Sequence, residues 1–314
     1  MNPRPAKPPD VLVLGGGGVL GEAWMSALLA GLHEAGGFDA RECAGYIGTS
    51  AGSIVAASLA AGIDPRTHLG SLPEQPGVAD PRAPAGARGG SIDRILRVGG
   101  AAAGLVAAPV ASISLRAGTP GGALVRRAGL GRVPRGRRSL AELGRMVERS
   151  GVRWDGRLRI AVVELESGRR LMLDGSGTPR ATVSEAVQAS CAIPGVFRPI
   201  ELDGRSHVDG GVWSPTNLDT AQVRRNDRVL CLNPTGSLRS TAGLSLGAIG
   251  PISRGVAAVE ALALRRRGAR VTTVNPDEAC AAAMGTNLMD PRGRERVIAA
   301  GVRQGRELGA RLLG

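Results

Sequence analysis

Histidine is scarce in this chain of 314 residues: only His33, His68 and His207 occur, and none follows the segment Asp209-Gly210-Gly211. That excludes a hydrolase triad in Ser, Asp, His order built around Asp209. His33 falls in a helical pattern and His68 opens an irregular stretch, so both read as structural or solvated. Aromatic residues make up 2% of the chain, which leaves no stacking platform for bases; no nucleic-acid partner is expected. Lysine is represented by Lys7 alone, which excludes a phosphate-binding P-loop. The four cysteines, Cys43, Cys191, Cys231 and Cys280, form no CxxC pair and have no histidine at metal spacing. Buried free thiols, no metal and no other cofactor are the expectation. The prolines at positions 3, 5, 8 and 9 stand where a signal peptide needs an apolar run. Residues 1–9 therefore read as a disordered tail and the cytoplasm as the simplest address.

Long apolar runs are missing too. The uncharged stretch Val98–Leu115 approaches membrane-spanning length but contains Gly99, Gly100, Gly104, Pro109, Ser112 and Ser114. It is too weakly apolar for a span and reads as a buried helix, with a lid or an interfacial segment as the alternatives. The formal charge of +13 is carried almost wholly by arginine. Scattered arginines are what a GC-rich coding bias produces; the functional alternative is peripheral contact with an anionic membrane.

What is present is an alternation of strand and helix. Val11–Leu14 is a short continuous apolar run, as in a strand buried on both faces. Four glycines follow it, then a helical pattern carrying Trp24, Leu28, Leu29 and Leu32 to Gly36-Gly37. A second strand at Ala44–Gly48 leads through Ser50 into a helix over Ala51–Ala61. Further helices are expected near Ser139–Arg149, at Val183–Ser190, at Ser253–Arg267 and from Arg292 to Leu313. Strands are expected at Leu158–Val163, Arg228–Leu232 and Arg270–Val274. This order indicates an α/β fold with a largely parallel sheet. One domain over residues 10–314 is expected, with the Pro-, Gly- and Arg-rich region 64–138 as an insertion or cap.

Three motifs carry chemistry. Gly48-Thr49-Ser50-Ala51-Gly52 has the spacing of a sharp strand-to-helix elbow, in which small residues two before and two after a serine let it project as a nucleophile. A helix N-terminus there favours the negative charge that develops in acyl transfer. Upstream, Gly15-Gly16-Gly17-Gly18 follows a buried strand, so its backbone N–H groups can converge on an oxyanion. The same glycines satisfy GxGxxG as Gly16, Gly18 and Gly21, but Asp39 and Glu42 precede the second strand, and its end offers no acid for a ribose. The third motif, Asp209-Gly210-Gly211, could place a carboxylate beside the serine. An ordinary aspartate is a weak base for an alcohol, so the site would have to hold it within hydrogen-bond reach and partly desolvate it. Taken alone, Asp209 reads equally well as a turn residue capping its own loop.

Together, the glycine loop, the G-x-S-x-G elbow and the distant Asp-Gly-Gly resemble the patatin-like phospholipase family. The stretch Ala189–Phe197 before Asp209 looks like the family's as well. The resemblance implies a three-layer α/β/α fold and a Ser50-Asp209 dyad with Gly16, Gly17 and Gly18 as oxyanion donors. It also implies hydrolysis of a lipid or phospholipid acyl ester through an acyl-enzyme, without metal or cofactor. Leu20 stands where the family often has a cation, which bears on substrate charge. Acyl transfer to another alcohol on the same dyad is one alternative function. A non-catalytic nucleotide- or membrane-binding module built on the glycine loop is another. Oligomeric state is left open.

Overall fold

The computed structural model describes residues 7–36, 38–69, 122–238 and 249–313. The stretch Val98–Leu115 and most of the expected cap at 64–138 lie outside them, as do residues 1–6. Lys7 and Pro8, at the end of the expected tail, offer their carbonyls to the Arg228 guanidinium.

The strands are β1 (Val11–Leu14), β2 (Gly45–Thr49), β3 (Leu158–Glu164), β4 (Arg170–Leu173), β5 (Ile200–Leu202), β6 (Arg205–Asp209), β7 (Arg228–Leu232) and β8 (Arg270–Val274). The helices are α1 (Gly18–Glu34), α2 (Ala51–Ala60), α3 (Gly122–Leu130), α4 (Ala141–Arg149), α5 (Val183–Ser190), α6 (Ile249–Arg266), α7 (Glu278–Met284) and α8 (Arg294–Leu313). One mixed sheet runs β5-β6-β3-β2-β1-β7-β8, with β4 also paired to β3. The segment β3-β2-β1-β7-β8 is parallel throughout, whereas β4 and β6 run antiparallel to β3, and β5 antiparallel to β6.

Side chains that alternate along the strands feed two main cores. Leu12, Leu14, Leu158, Ile160, Leu230 and Leu232 pack with α1, α2, α5 and α8 on one face. Val11, Val13, Val229, Cys231 and Val271 pack with Ala261 and Leu264 of α6 on the other. This is the α/β fold with a largely parallel sheet that the strand-helix order indicates, in the three-layer α/β/α arrangement that the resemblance implies. Glycine supplies the close approach where bulk is scarce: a Cβ at Gly305 of α8 would sit 2.2 Å from the Leu28 carbonyl oxygen of α1. A buried ion pair, Arg294 to Glu22 at 2.6 Å, joins the same two helices.

The expected strands at 228–232 and 270–274 and the helix at 183–190 coincide with β7, β8 and α5. Five elements were not expected: β4, β5, β6, α3 and α7. The first three have sequences too short to signal a strand, RLML, IEL and RSHVD, and form only because β3 supplies or organises their partners. All four cysteines are free and buried, and burial pushes every thiol up, Cys43 and Cys280 to about 12.

Candidate active site

The parallel strands converge on an edge where β2 gives way to α2. Ser50 links them with φ 51° and ψ −123°, a positive-φ conformation outside the regions that residues with a Cβ ordinarily adopt. The glycines of the elbow are needed for space. A Cβ at Gly48 would lie 2.5 Å from the Ser53 Cα, and one at Gly52 only 2.0 Å from the Leu14 carbonyl oxygen. The strained turn is held from both sides. Ser50 N donates to Ser190 Oγ at 2.8 Å, and Ser190 Oγ donates to the Ala161 carbonyl at 2.8 Å. Ser53 returns two bonds to the Ser50 carbonyl, through N at 2.8 Å and Oγ at 2.6 Å.

Asp209 ends β6. In register, Thr49 pairs with Ala161 and Asp209 with Val162, so β2 and β6 both terminate at successive residues of β3. The Asp209 carboxyl is buried, and Oδ1 accepts the Gly211 N–H at 2.7 Å. Loss of hydration raises its pKa to about 6, while hydrogen bonding from the Ser50 side chain and the Gly211 N–H opposes that rise. A carboxylate with this pKa is a stronger base than an exposed one and is still ionised near neutrality. Gly210 has no room for a side chain, since a Cβ would lie 2.3 Å from the Ala161 carbonyl oxygen.

The glycine loop lies against the elbow: a Cβ at Gly16 would be 3.4 Å from Ser50 Cβ. Its three expected donors are not equivalent. The Gly16 N–H is committed to the Pro215 carbonyl at 2.8 Å, as Gly15 N is to Leu232 at 2.9 Å. Among the described residues, no hydrogen-bond acceptor engages the N–H of Gly17 or Gly18, which cap and open α1. Leu20 is buried in the core, at 1% exposure, so position 20 does not present a side chain to the site. His207 is buried on β6, with Nδ1 3.0 Å from the Arg205 carbonyl and its pKa lowered by desolvation. His33 lies exposed on α1 and His68 partly buried at the edge of the described residues.

Several residues of the site were given no role by the motifs. Ser190, within the stretch Ala189–Phe197, is one; the others lie in the loop after Asp209 and beside it on β4 and α6. Asn217, fully buried at φ 50°, donates through Nδ2 to Thr49 Oγ1, Gly210 O and Ser214 O. Arg170 reaches Asn217 Oδ1 at 3.1 Å and grips Asp219 with two bonds of 2.7 Å. Glu260 of α6 accepts Thr216 Oγ1 at 2.7 Å and Leu218 N at 2.9 Å. Burial, with Asp219 nearby, raises its pKa to about 7. Two guanidiniums lie over the Trp213 ring, Arg126 at 3.7 Å and Arg170 at 5.0 Å from its centre. The signal that was available is polar density: Ser214, Thr216, Asn217 and Asp219 follow Asp209 within ten positions.

Residues 127–221 match the family model described as Patatin-like phospholipase. That segment is patatin-like. It contains Asp209-Gly210-Gly211, Asn217 and Ser190, while Ser50 and the glycine loop precede it. Among solved structures, VipD from Legionella pneumophila aligns at TM-score 0.45 and 17% identity, over 96% of this chain and 67% of that one. The type III effector protein ExoU aligns at TM-score 0.37 and 17% identity, over 98% of this chain and 54% of that one. ExoU in the ExoU-SpcU complex from the type III secretion system of Pseudomonas aeruginosa aligns at 0.35 and 22%, over 98% and 53%. This chain spans about half the length of the ExoU chains. Among the described residues, no helix is long and apolar enough to cross a membrane.

Proposed function

We propose that this protein is a serine acyl hydrolase acting on lipid or phospholipid esters through Ser50 and Asp209. The observation that carries the reading is Ser50 held at positive φ on a strand-to-helix elbow, with the ends of β2 and β6 at successive residues of β3 placing beside it the buried Asp209 carboxyl, whose pKa desolvation raises to about 6. In the first half-reaction Ser50 Oγ attacks the ester carbonyl carbon while Asp209 takes the hydroxyl proton. The oxyanion is received by the N–H groups of Gly17 and Gly18 and the N-terminus of α2. Collapse expels the lipid alcohol, which takes the proton from Asp209 and leaves an acyl-Ser50 ester. Water then attacks that ester, giving its proton to Asp209, and Ser50 recovers a proton as the fatty acid leaves. The chemistry needs no metal and no cofactor.

Peripheral contact with an anionic membrane belongs to the same reading. It is supported by the net charge of +13 and by the outer face of α6. There Val259 is 70% and Leu262 47% exposed, ahead of exposed Arg265, Arg266 and Arg267. Such a face combines apolar insertion with attraction to acidic headgroups.

The test of the dyad is labelling by an activity-based fluorophosphonate together with turnover of a short-chain ester. The native chain should be labelled at Ser50, and Ser50→Ala should lose both labelling and turnover. Modification at another serine, or an active Ser50→Ala variant, rejects the reading.

A further inference from the structure

We propose that Asn217 is a positioning residue for this reaction: its carboxamide ties the Ser50 elbow to the Asp209 loop and sets the approach of the two reactive groups. The proposal rests on the Ser50-Asp209 reading above. Nδ2 lies 3.1 Å from Thr49 Oγ1, the residue before the nucleophile, and 3.3 Å from the carbonyl of Gly210, the residue after the aspartate. It is also 2.9 Å from the Ser214 carbonyl. Two amide hydrogens thus serve three acceptors from two separate chain segments. The orientation of the amide is decided by its surroundings. Arg170 donates to Oδ1 at 3.1 Å, and a reversed amide would turn its oxygen toward two carbonyl oxygens and its NH2 toward a guanidinium.

The backbone is arranged to deliver this side chain. Asn217 sits at φ 50° and ψ 31°, a left-handed conformation that asparagine tolerates better than other residues with a Cβ. The neighbours on either side are fixed by one carboxyl group, since Glu260 Oε2 accepts from both Thr216 Oγ1 and Leu218 N. Asn217 N is itself held by Ser214 Oγ at 3.0 Å. A buried polar residue needs only enough partners to satisfy its own atoms. Asn217 instead spends its donors on the residues next to Ser50 and Asp209, which β2 and β6 bring together without any direct bond between those strands. Small errors in such an arrangement are costly, because a serine–carboxylate proton transfer requires hydrogen-bond geometry.

The experiment uses the full chain and two variants. Asn217→Gly keeps access to the left-handed backbone and removes the carboxamide. Thr49→Val keeps the shape of residue 49 and removes one acceptor. For each, the second-order rate of Ser50 labelling by a fluorophosphonate, kcat and KM on a short-chain ester, and the melting temperature are measured. Asn217→Gly is expected to lower kcat and the labelling rate by roughly 10²-fold, with KM changed by less than about threefold. Thr49→Val should lower them by about three- to tenfold, and the double variant should be no slower than Asn217→Gly, because both remove one linkage. A loss that is purely structural would lower the fraction of active enzyme and leave the rate per labelled Ser50 unchanged. Folded Asn217→Gly with a labelling rate within twofold of the native chain overturns the proposal. If Asn217→Gly does not fold, Thr49→Val decides alone, and native kcat and labelling rate there overturn it equally. Native protein that is never labelled at Ser50 overturns the dyad, and the positioning role with it.

Discussion

Replacing Asp209 by asparagine separates what the carboxylate does for chemistry from what it costs the fold. The side chain is buried, and desolvation moves its pKa from the ordinary 3.8 to about 6. Its ionised form is therefore disfavoured in the folded protein by roughly 3 kcal/mol. The sign follows from the raised value: the full stability is present below about pH 4, declines as pH rises to about 6, and the loss is complete above that. Asparagine has no charge to bury and keeps an Oδ1 for the Gly211 N–H. Asp209→Asn should thus be inactive yet more stable than the native chain at pH 8, by up to about 3 kcal/mol. With an unfolding entropy of about 2.1 cal/mol/K per residue, 314 residues convert this into a melting temperature higher by roughly 4–5 °C. The difference should shrink toward zero near pH 4. Thermal unfolding of both proteins at pH 4, 6 and 8 measures it, and kcat/KM on a soluble ester should rise through about pH 6 to a plateau. A variant equally or less stable than the native chain at pH 8, or an offset independent of pH, refutes the claim that Asp209 is buried as an ion.

Three further outcomes can be checked. Gly52→Ala would bring a methyl within 2.0 Å of the Leu14 carbonyl oxygen; expression of folded protein should fall sharply, and any folded fraction should melt well below the native chain, by circular dichroism. Arg294→Ala strands the buried Glu22 carboxylate that it meets at 2.6 Å and should cost about 3–5 kcal/mol in urea denaturation, whereas Glu22→Gln with Arg294→Met should recover most of the loss. Val259→Glu with Leu262→Glu should weaken co-sedimentation with vesicles containing anionic phospholipid by roughly tenfold or more, while hydrolysis of a soluble ester stays at the native rate; unchanged co-sedimentation removes α6 from the membrane-facing surface.

Local pattern was enough for much of this molecule. A four-residue apolar run before a glycine loop, a G-x-S-x-G elbow and amphipathic spacing in the last helix are short-range signals, because strand burial, a sharp turn and a helix face each depend on residues a few positions apart. The need for glycine at 48 and 52 was legible for the same reason. The absence of histidine after Asp209 is equally plain and leaves a carboxylate as the candidate base. Leu20 could be read as a departure from the family pattern, but only packing revealed that position 20 points into the core.

The sequence by itself determined the fold class, the strand-helix order around Ser50 and the candidates for the reactive pair. Tertiary structure decided the rest. It assembled β4, β5 and β6 from short segments that gain their hydrogen bonds only in the sheet. It withdrew Gly16 from the set of unengaged donors by giving its N–H to Pro215, a residue 199 positions away. It brought Ser190, Asn217 and Glu260 to a site that no motif assigns them to. The raised pKa of Asp209 belongs to the same category, since desolvation depends on what surrounds a carboxyl from every direction and not on its neighbours along the chain.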